Sequence, residues 1–394
     1  MWLNVGTGVF MNNLRLGRRG QGMNFPNIRT IDDILEHIEG CREFAVMVKG
    51  DYTVIDYTVQ THDTFVGKSL YYRRECRGII FDLDGTVISR PLHKFKNLNE
   101  SEEVLTHNID FTRPFVVLDK LDGSMLRPVR LAEGIRWATR KGITDVALHA
   151  ESFVHRNSRY EDFSRKIIDA NLTPVFEFVS PVRGVVQYDH DDMILLAIRD
   201  NFSGKYLSYR EMIEHAGEFD VPVVKMYETP DDIEEFVARA REEQGNEGYI
   251  IRFDDGEMIK VKNDWYVCLH RIRSTIENDH EIILRSINGT LDDIKAAFGG
   301  ERQRIEAVES IFWNLVARKK EIVEGKFRAY MSLTDGNVRE FAIHHANNLH
   351  PIDRALIFQM WKGKNIHDSL IALCTKNLGK QKTYHELMDY LRSD

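Results

Sequence analysis

Cysteine is scarce in this chain and forms no pattern. The four cysteines, Cys41, Cys76, Cys268 and Cys374, are scattered and supply no C-x-x-C pair. That argues against a disulfide framework or a zinc ribbon and fits a reducing compartment, so the expected location is cytoplasmic. Long apolar runs are missing as well. The longest, Met193 to Ile198, is far too short to span a bilayer. Met1-Trp2-Leu3-Asn4-Val5-Gly6 lacks the basic stretch and apolar core of a signal peptide. His93, His149, His155, His344 and His345 have no partner at the H-E-x-x-H spacing and read as structural. A basic excess is also absent. The net charge is −8, which excludes strong unspecific binding to duplex nucleic acid.

The 394 residues are 43% apolar and 29% charged, enough for two sizeable cores. Residues 1–23 carry three arginines and no acid and read as a flexible extension. Segment 24–270 holds 31 basic against 44 acidic residues, and 271–394 holds 19 against 17, so a local basic groove is compatible with the acidic total. Thr30 is placed to cap a short helix carrying Ile31, Ile34, Leu35 and Ile38 on one face. Strand patterns follow. Phe44–Val48 with Tyr52–Tyr57 and Gly78–Phe81 with Thr86–Ser89 read as hairpins. Val116–Lys120, Ser124–Leu131 and Ile135–Arg140 read as successive antiparallel strands, and a helix is expected from Thr144 to about Ala170. Val175–Ser180 and Met193–Arg199 read as buried strands, Pro230–Glu243 as a helix, and Tyr249–Phe253 with Met258–Lys262 as a last hairpin. Beyond Arg271 the periodicity is helical throughout. The expectation is an α+β body over 24–270 and an all-helical domain over 271–394, with Phe312, Trp313, Phe358 and Trp361 in its core.

Two stretches carry chemistry. Asp82-Leu83-Asp84-Gly85-Thr86 matches the D-x-D-G-T of haloacid-dehalogenase-type phosphatases, which would make Asp82 a nucleophile. The residues after it continue as a strand, however, so a hairpin turn is the better reading. Lys120-Leu121-Asp122-Gly123-Ser124, at the end of an apolar run, suits a covalent lysine–nucleotide mechanism, although the same residues also make ordinary turns. An attacking lysine must first lose its proton, which neighbouring cations favour. Lys260 and Lys262 share one strand face and could supply that charge. Glu177 lies in an otherwise apolar strand and needs a partner; a ribose hydroxyl, a metal and an arginine are the alternatives. Glu247, before Gly248, is a candidate magnesium ligand.

Taken together, these motifs resemble those of the covalent nucleotidyltransferases, the superfamily of DNA ligases, RNA ligases and capping enzymes. Lys120–Ser124 looks like motif I, Phe176–Pro181 like motif III or IIIa, Glu247–Ile251 like motif IV and Lys260–Lys262 like motif V. Finer features are similar to the RNA ligase 1 family of T-even bacteriophages. These are Cys76–Phe81 with Arg77, Arg90–Leu98 with Lys94, Thr139–Gly142 with Lys141, and Asn263-Asp264-Trp265-Tyr266. One departure is Lys96, where that family has a second phenylalanine.

The resemblance implies an antiparallel-sheet nucleotidyltransferase domain, ATP-grasp-like, and a C-terminal module for RNA specificity. It implies an ATP-dependent RNA ligase acting in RNA (tRNA) repair with magnesium or manganese, on RNA bearing 5′-phosphate and 3′-hydroxyl ends, with no obligate protein partner. Lys120 would carry AMP with Lys260 and Lys262 beside it. Arg77, Lys94, Asp122, Gly123, Lys141, Glu177, Glu247, Gly248 and Tyr266 would hold ATP, with Glu177 and Glu247 on the metal. A capping-type guanylyltransferase or DNA ligase shares these motifs, but those enzymes usually carry an OB-like β pattern after motif V, and none is apparent here.

Overall fold

The computed structural model describes residues 23–61, 63–182, 184–297, 301–378 and 381–393. The N-terminal extension expected over 1–23 lies outside these residues except for Met23, whose amide donates to Asp255 Oδ2. The chain divides into two compact units, one running to Val267 and the other Cys268–Asp394.

The first unit opens with α1 (Asp32–Ile38), β1 (Phe44–Lys49), β2 (Tyr52–Tyr57), α2 (Leu70–Glu75), β3 (Arg77–Asp82) and β4 (Val87–Ser89). The strands form one antiparallel sheet in the order β1-β2-β3-β4. Thr30 does not cap α1. Instead the Asp33 carboxylate reaches back to the amides of Arg29 and Thr30, at 2.7 and 2.9 Å, so the acid of the first turn satisfies the chain entering it. Between β3 and β4, Asp82 Oδ1 accepts the amides of Asp84 (3.0 Å) and Thr86 (2.8 Å). That carboxylate closes a hairpin, and no helix of a parallel α/β unit follows. The phosphatase alternative therefore falls.

Next come β5 (Phe115–Asp119), β6 (Ser124–Leu131), β7 (Gly134–Ala138), α3 (Asp145–Val154), α4 (Arg159–Asp169), β8 (Leu172–Val179) and β9 (Asp192–Asp200). They are followed by α5 (Tyr209–Gly217), β10 (Met226–Tyr227), α6 (Ile233–Glu242), β11 (Gly248–Phe253) and β12 (Met258–Lys262). Two more four-stranded sheets result, β10-β5-β11-β12 and β7-β6-β8-β9, with every strand pair antiparallel. The expectation of three successive paired strands around the lysine is corrected here. β5 pairs with β10 and β11, not with β6, so residues 120–123 carry the chain from one sheet to the other. The single helix expected from Thr144 is two helices. The Asn157 side chain donates to Phe153 O at 2.9 Å and its amide to Val154 O at 2.7 Å, which ends the first one. Both helices then lay apolar faces on the sheet, where Ala147, Ala150, Val154, Tyr160, Phe163 and Ile167 join Leu118, Phe176, Phe178 and Leu195 in one core.

A buried ionic knot fixes the end of α2, just before Arg77 opens β3. Glu75 Oε2 receives Arg90 Nε (3.0 Å) and Arg199 Nη1 (2.8 Å), and Oε1 receives Arg199 Nη2 (2.8 Å). All three side chains are essentially solvent-free. The remaining guanidinium hydrogens go to carbonyls, including Phe202 O, Pro26 O, Pro91 O and Gly204 O. Burial would raise the Glu75 pKa, but Arg199 and Arg90 outweigh it and hold the carboxyl at about 2.

In the second unit, α7 (Asp264–Ile276) crosses the boundary and is followed by α8 (Asp279–Ile287), α9 (Leu291–Ala297), α10 (Arg302–Leu333), α11 (Val338–His344), α12 (Pro351–Trp361), α13 (Ile366–Asn377) and α14 (Gln381–Arg392). Among the described residues no strand follows β12. Phe312, Phe341, Leu356, Leu370 and Cys374 form its core, with Trp313, Phe358 and Trp361 packed against them. Among the described residues no helix is long and apolar enough to cross a membrane. The architecture is α+β, antiparallel sheets followed by a helical region.

Replacing Glu75 with Gln leaves two buried guanidinium groups without their counter-charge. It should destabilise the first unit by about 3–5 kcal/mol, read as a lower denaturant midpoint. Because the folded carboxyl is depressed, its contribution is present above the usual carboxyl pKa of about 4.5 and is lost as pH falls towards about 2. Acid unfolding should therefore begin at higher pH in the variant.

Candidate functional site

The site is built on one row of strand partners. Register pairs Gly248 with Lys262, Ile250 with both Lys260 and Leu118, and Tyr249 with Asp119. Lys120 follows Asp119, and its amide donates to Gly248 O at 3.0 Å. Antiparallel partners share a face and alternate residues return to it, so Lys120, Lys260 and Lys262 all project from the same side of the sheet. Glu247 answers that charge. Its Oε1 lies 2.6 Å from Lys120 Nζ and 2.9 Å from Lys262 Nζ, in a side chain only 5% exposed.

Two glycines make the row possible. Gly248 has φ +125°, and a Cβ there would run into Val261 O and Lys262 Cα. Gly123 lets the crossing segment pass against β8, because a Cβ would meet the Phe178 carbonyl and Glu177 Cγ. The β8 strand brings Glu177 to the same place. Burial pushes its carboxyl up to about 8, against the pull of Lys120 and with a further push from Glu247. Among the described residues no donor bonds that carboxylate. Lys260 is pushed the other way, down to about 6, by burial and by Arg77, Lys94, Lys120 and Lys262 around it. Its ammonium lies 4.6 Å above the centre of the Phe95 ring.

Asp122 is spoken for within the protein. Its Oδ2 accepts the amides of Val185 and Val186, and Oδ1 accepts the Tyr266 hydroxyl at 2.8 Å. The Asp122 amide donates to Tyr188 Oη at 2.9 Å. Tyr266 is itself buried, with its ring 4.9 Å from Lys262 Nζ, so both residues sit behind the lysine row. Arg77 donates to Leu92 O (3.4 Å) and Met125 Sδ (3.2 Å), and among the described residues no carboxylate lies in its ion-pair range. Lys94 Nζ lies 5.7 Å from the Tyr57 ring centre. The side chain of Lys141 is exposed and does not join the cluster; its carbonyl accepts from Lys49 Nζ at 2.8 Å. Lys96 turns to Ser101 and Glu103, which accounts for a cation where the resembling sequences have an aromatic. His93 is buried against the Tyr206 hydroxyl at 2.8 Å, and burial first, then Arg199, holds it well below the usual imidazole range.

Sequence reasoning missed several supports. Asn263 is fully buried. Its Nδ2 donates to Asn246 O and Oδ1, both at 2.6 Å, and its Oδ1 accepts the Tyr266 amide, which fixes the approach to Glu247. In the sequence Asn263 stands in the Asn263-Asp264-Trp265-Tyr266 stretch without this role, and an asparagine just before a helix is the signal that points to it. Tyr188 had no signal at all, since it reaches Asp122 across a loop of no distinctive pattern.

The donor set suits a divalent ion only in part. Among the described residues no group of three or more His, Cys, Asp or Glu side chains is arranged to hold a metal. Glu177 and Glu247 are two carboxylates, one without a donor. Magnesium commonly takes one or two carboxylates with phosphate and water, so the pair fits once a nucleotide is present.

A family model described as RNA ligase matches residues 75–266. A protein of Thermovibrio ammonificans provisionally named an RNA ligase is 29% identical over 74% of this chain and 80% of its own. RNA ligase 1 of bacteriophage TS2126 is 28% identical over 71% of each chain. Over residues 75–266 the chain is similar to the RNA ligases. Among solved structures, an archaeal ATP-dependent RNA ligase superposes with a TM-score of 0.43 at 15% identity, over 71% of this chain and 73% of that one. The matched range opens at Glu75 and closes at Tyr266. It thus takes in the lysine row, both carboxylates and the Asp122–Tyr266 support.

Lys260→Met should raise the melting temperature of the ligand-free protein. The folded state disfavours the ammonium that the unfolded chain retains, so the gain should be largest at and below about pH 6 and should shrink towards pH 10. Melting curves at pH 6 and pH 9 check the sign.

Proposed function

We propose that this chain is an ATP-dependent RNA ligase that joins RNA 5′-phosphate and 3′-hydroxyl ends through lysyl-AMP and adenylylated RNA. The observation that carries the reading is the Glu247 carboxylate shared by the Lys120 and Lys262 ammonium groups, at 2.6 and 2.9 Å, in a family of RNA ligases. A nucleophilic lysine needs cations close by and a carboxylate to orient it, and this arrangement supplies both.

The reaction runs in three transfers. Lys120 Nζ, having lost its proton, bonds to the α-phosphorus of ATP, and the bond to the bridging oxygen breaks with its electron pair leaving on pyrophosphate. The RNA 5′-phosphate oxygen then takes the AMP, releasing the lysine. Finally a 3′-hydroxyl loses its proton and bonds to that 5′-phosphorus, and AMP departs. In each transfer charge gathers on phosphate oxygens, where Lys260 and Lys262 stabilise it. Glu177 and Glu247 are the residues that would hold magnesium or manganese, which neutralises phosphate charge when bound. Asp122 and Tyr266 act from behind, holding the segment after Lys120 in place. Arg77 and Lys94 face the phosphates. Repair of broken RNA, tRNA loops included, is the role this chemistry suits, in the cytoplasm and without an obligate protein partner.

The absence of any strand after β12 among the described residues favours this reading over a capping-type guanylyltransferase or a DNA ligase. Incubating the protein with 5′-phosphorylated RNA or DNA oligomers and either ATP or GTP tests it. ATP should support joining or circularisation of RNA, better than of DNA, and Lys120→Ala should abolish it. Preference for GTP or DNA, or joining that persists in the variant, overturns the proposal.

A further inference from the structure

The end of β2 holds a carboxylate that the site does not yet explain. Asp56 is 2% exposed. Its Oδ2 is ion-paired with Arg140 Nε at 3.1 Å, while Oδ1 is buried with no hydrogen-bond partner among the described residues. Asp56 stands opposite Arg77 in the β2–β3 register. Burial pushes its carboxyl up to about 6, against the pull of Arg140 and Arg77.

The cations around it are not equivalent. Arg127 is fully buried, and its guanidinium is consumed by Ser89 Oγ and the carbonyls of Gly78, Ala138 and Thr139. Arg140 is one-third exposed, and among the described residues neither of its Nη atoms has a hydrogen-bond partner. Its guanidinium lies 4.6 Å from the centre of the Tyr57 ring, the ring that Lys94 Nζ approaches from 5.7 Å. The Arg140 backbone presses on Gly78, next to Arg77, where φ is +90° and a Cβ would collide with it. Arg77 and Arg140 thus gather at Asp56 and Lys94 joins Arg140 at the Tyr57 ring, with Glu177 acting on Arg77 and Glu100 on Lys94. Arg77 and Lys94 both act electrostatically on Lys260, which joins this band to the lysine row. A guanidinium with both Nη groups open, beside two further cations, fits a phosphate-bearing anion.

We propose that Arg140, stacked on Tyr57 and positioned by Asp56, binds the terminal phosphates of ATP and the pyrophosphate that leaves. The inference rests on the ligase reading. Arg140 donates its two Nη groups to phosphate oxygens and stabilises the electron pair left on pyrophosphate when the N–P bond to Lys120 forms. Asp56 is a positioning residue, since its ion pair is with the guanidinium.

The three transfers separate this role from a structural one, because sealing of pre-adenylylated RNA uses no triphosphate. In Arg140→Ala the ATP concentration for half-maximal lysyl-AMP formation should rise at least about tenfold, the loss expected for a charge-assisted phosphate contact. Release of AMP from the protein by added pyrophosphate should weaken in parallel, and sealing of pre-adenylylated RNA should keep most of its rate. Arg140→Lys should recover part of the ATP affinity, and Asp56→Asn should raise the ATP requirement with little change in maximal rate. The Asp56→Asn/Arg140→Gln double variant removes both partners of the ion pair together and carries the test if the single variant does not fold. Equal loss in adenylylation and sealing, or an unchanged ATP requirement, overturns the proposal. A wild-type protein that takes up no AMP would instead sink the ligase reading itself.

Discussion

Like charge brought together at one place is the constraint on which the structure turns. Lys120, Lys260 and Lys262 project from one face of β5, β11 and β12, and unscreened ammonium groups in a partly buried row repel one another. The fold tolerates them through Glu247, which pairs with two of the three, and by displacing Lys260 towards its neutral form. The arrangement is strained electrostatically until phosphate arrives. On the function proposed above, binding a polyanion relieves repulsion already built into the folded state, and the same charges act on the transfer with little reorganisation.

The rest of the first unit holds that row in register. Gly248 admits the close approach of β12, and Gly123 lets the chain cross from the first sheet to the second against Glu177. Asn263 secures the residues before Glu247, and the Asp122–Tyr266 hydrogen bond secures those after Lys120. Further out, the Glu75 knot clamps the entry to Arg77 and the chain near Pro91 that leads to Lys94. These supports are buried and polar, which suits positions where geometry matters more than stability.

Much of this was legible in the sequence because it follows from local rules. Period two put Lys260 and Lys262 on one face, a lone acid in an apolar strand singled out Glu177, and Glu247 before a glycine at a strand start stood out as a candidate magnesium ligand. Hairpins at Asp84-Gly85 and Asp255-Gly256 were equally plain. What escaped depends on distance through space. No periodicity tells which sheet a strand joins, so the switch after Lys120 was read as a continuing meander. Residues 144–170 show one helical pattern because both helices pack on the same sheet, and the break at Asn157 rests on a single side chain. Arg140 and Lys141 are adjacent cations of similar sequence value; only the turn decides that Arg140 faces Asp56 and Tyr57 while Lys141 faces out. Tyr188 and Asp122 meet across 66 residues, beyond any spacing rule.

The central claim is that Lys120 is the covalent carrier of AMP. Its most direct measurement is the intact mass of the protein after incubation with ATP and a divalent ion, followed by peptide mapping of any adduct. The account predicts a gain of one AMP per chain, attached at Lys120. An unmodified protein, or an adduct mapped to another residue, would contradict it.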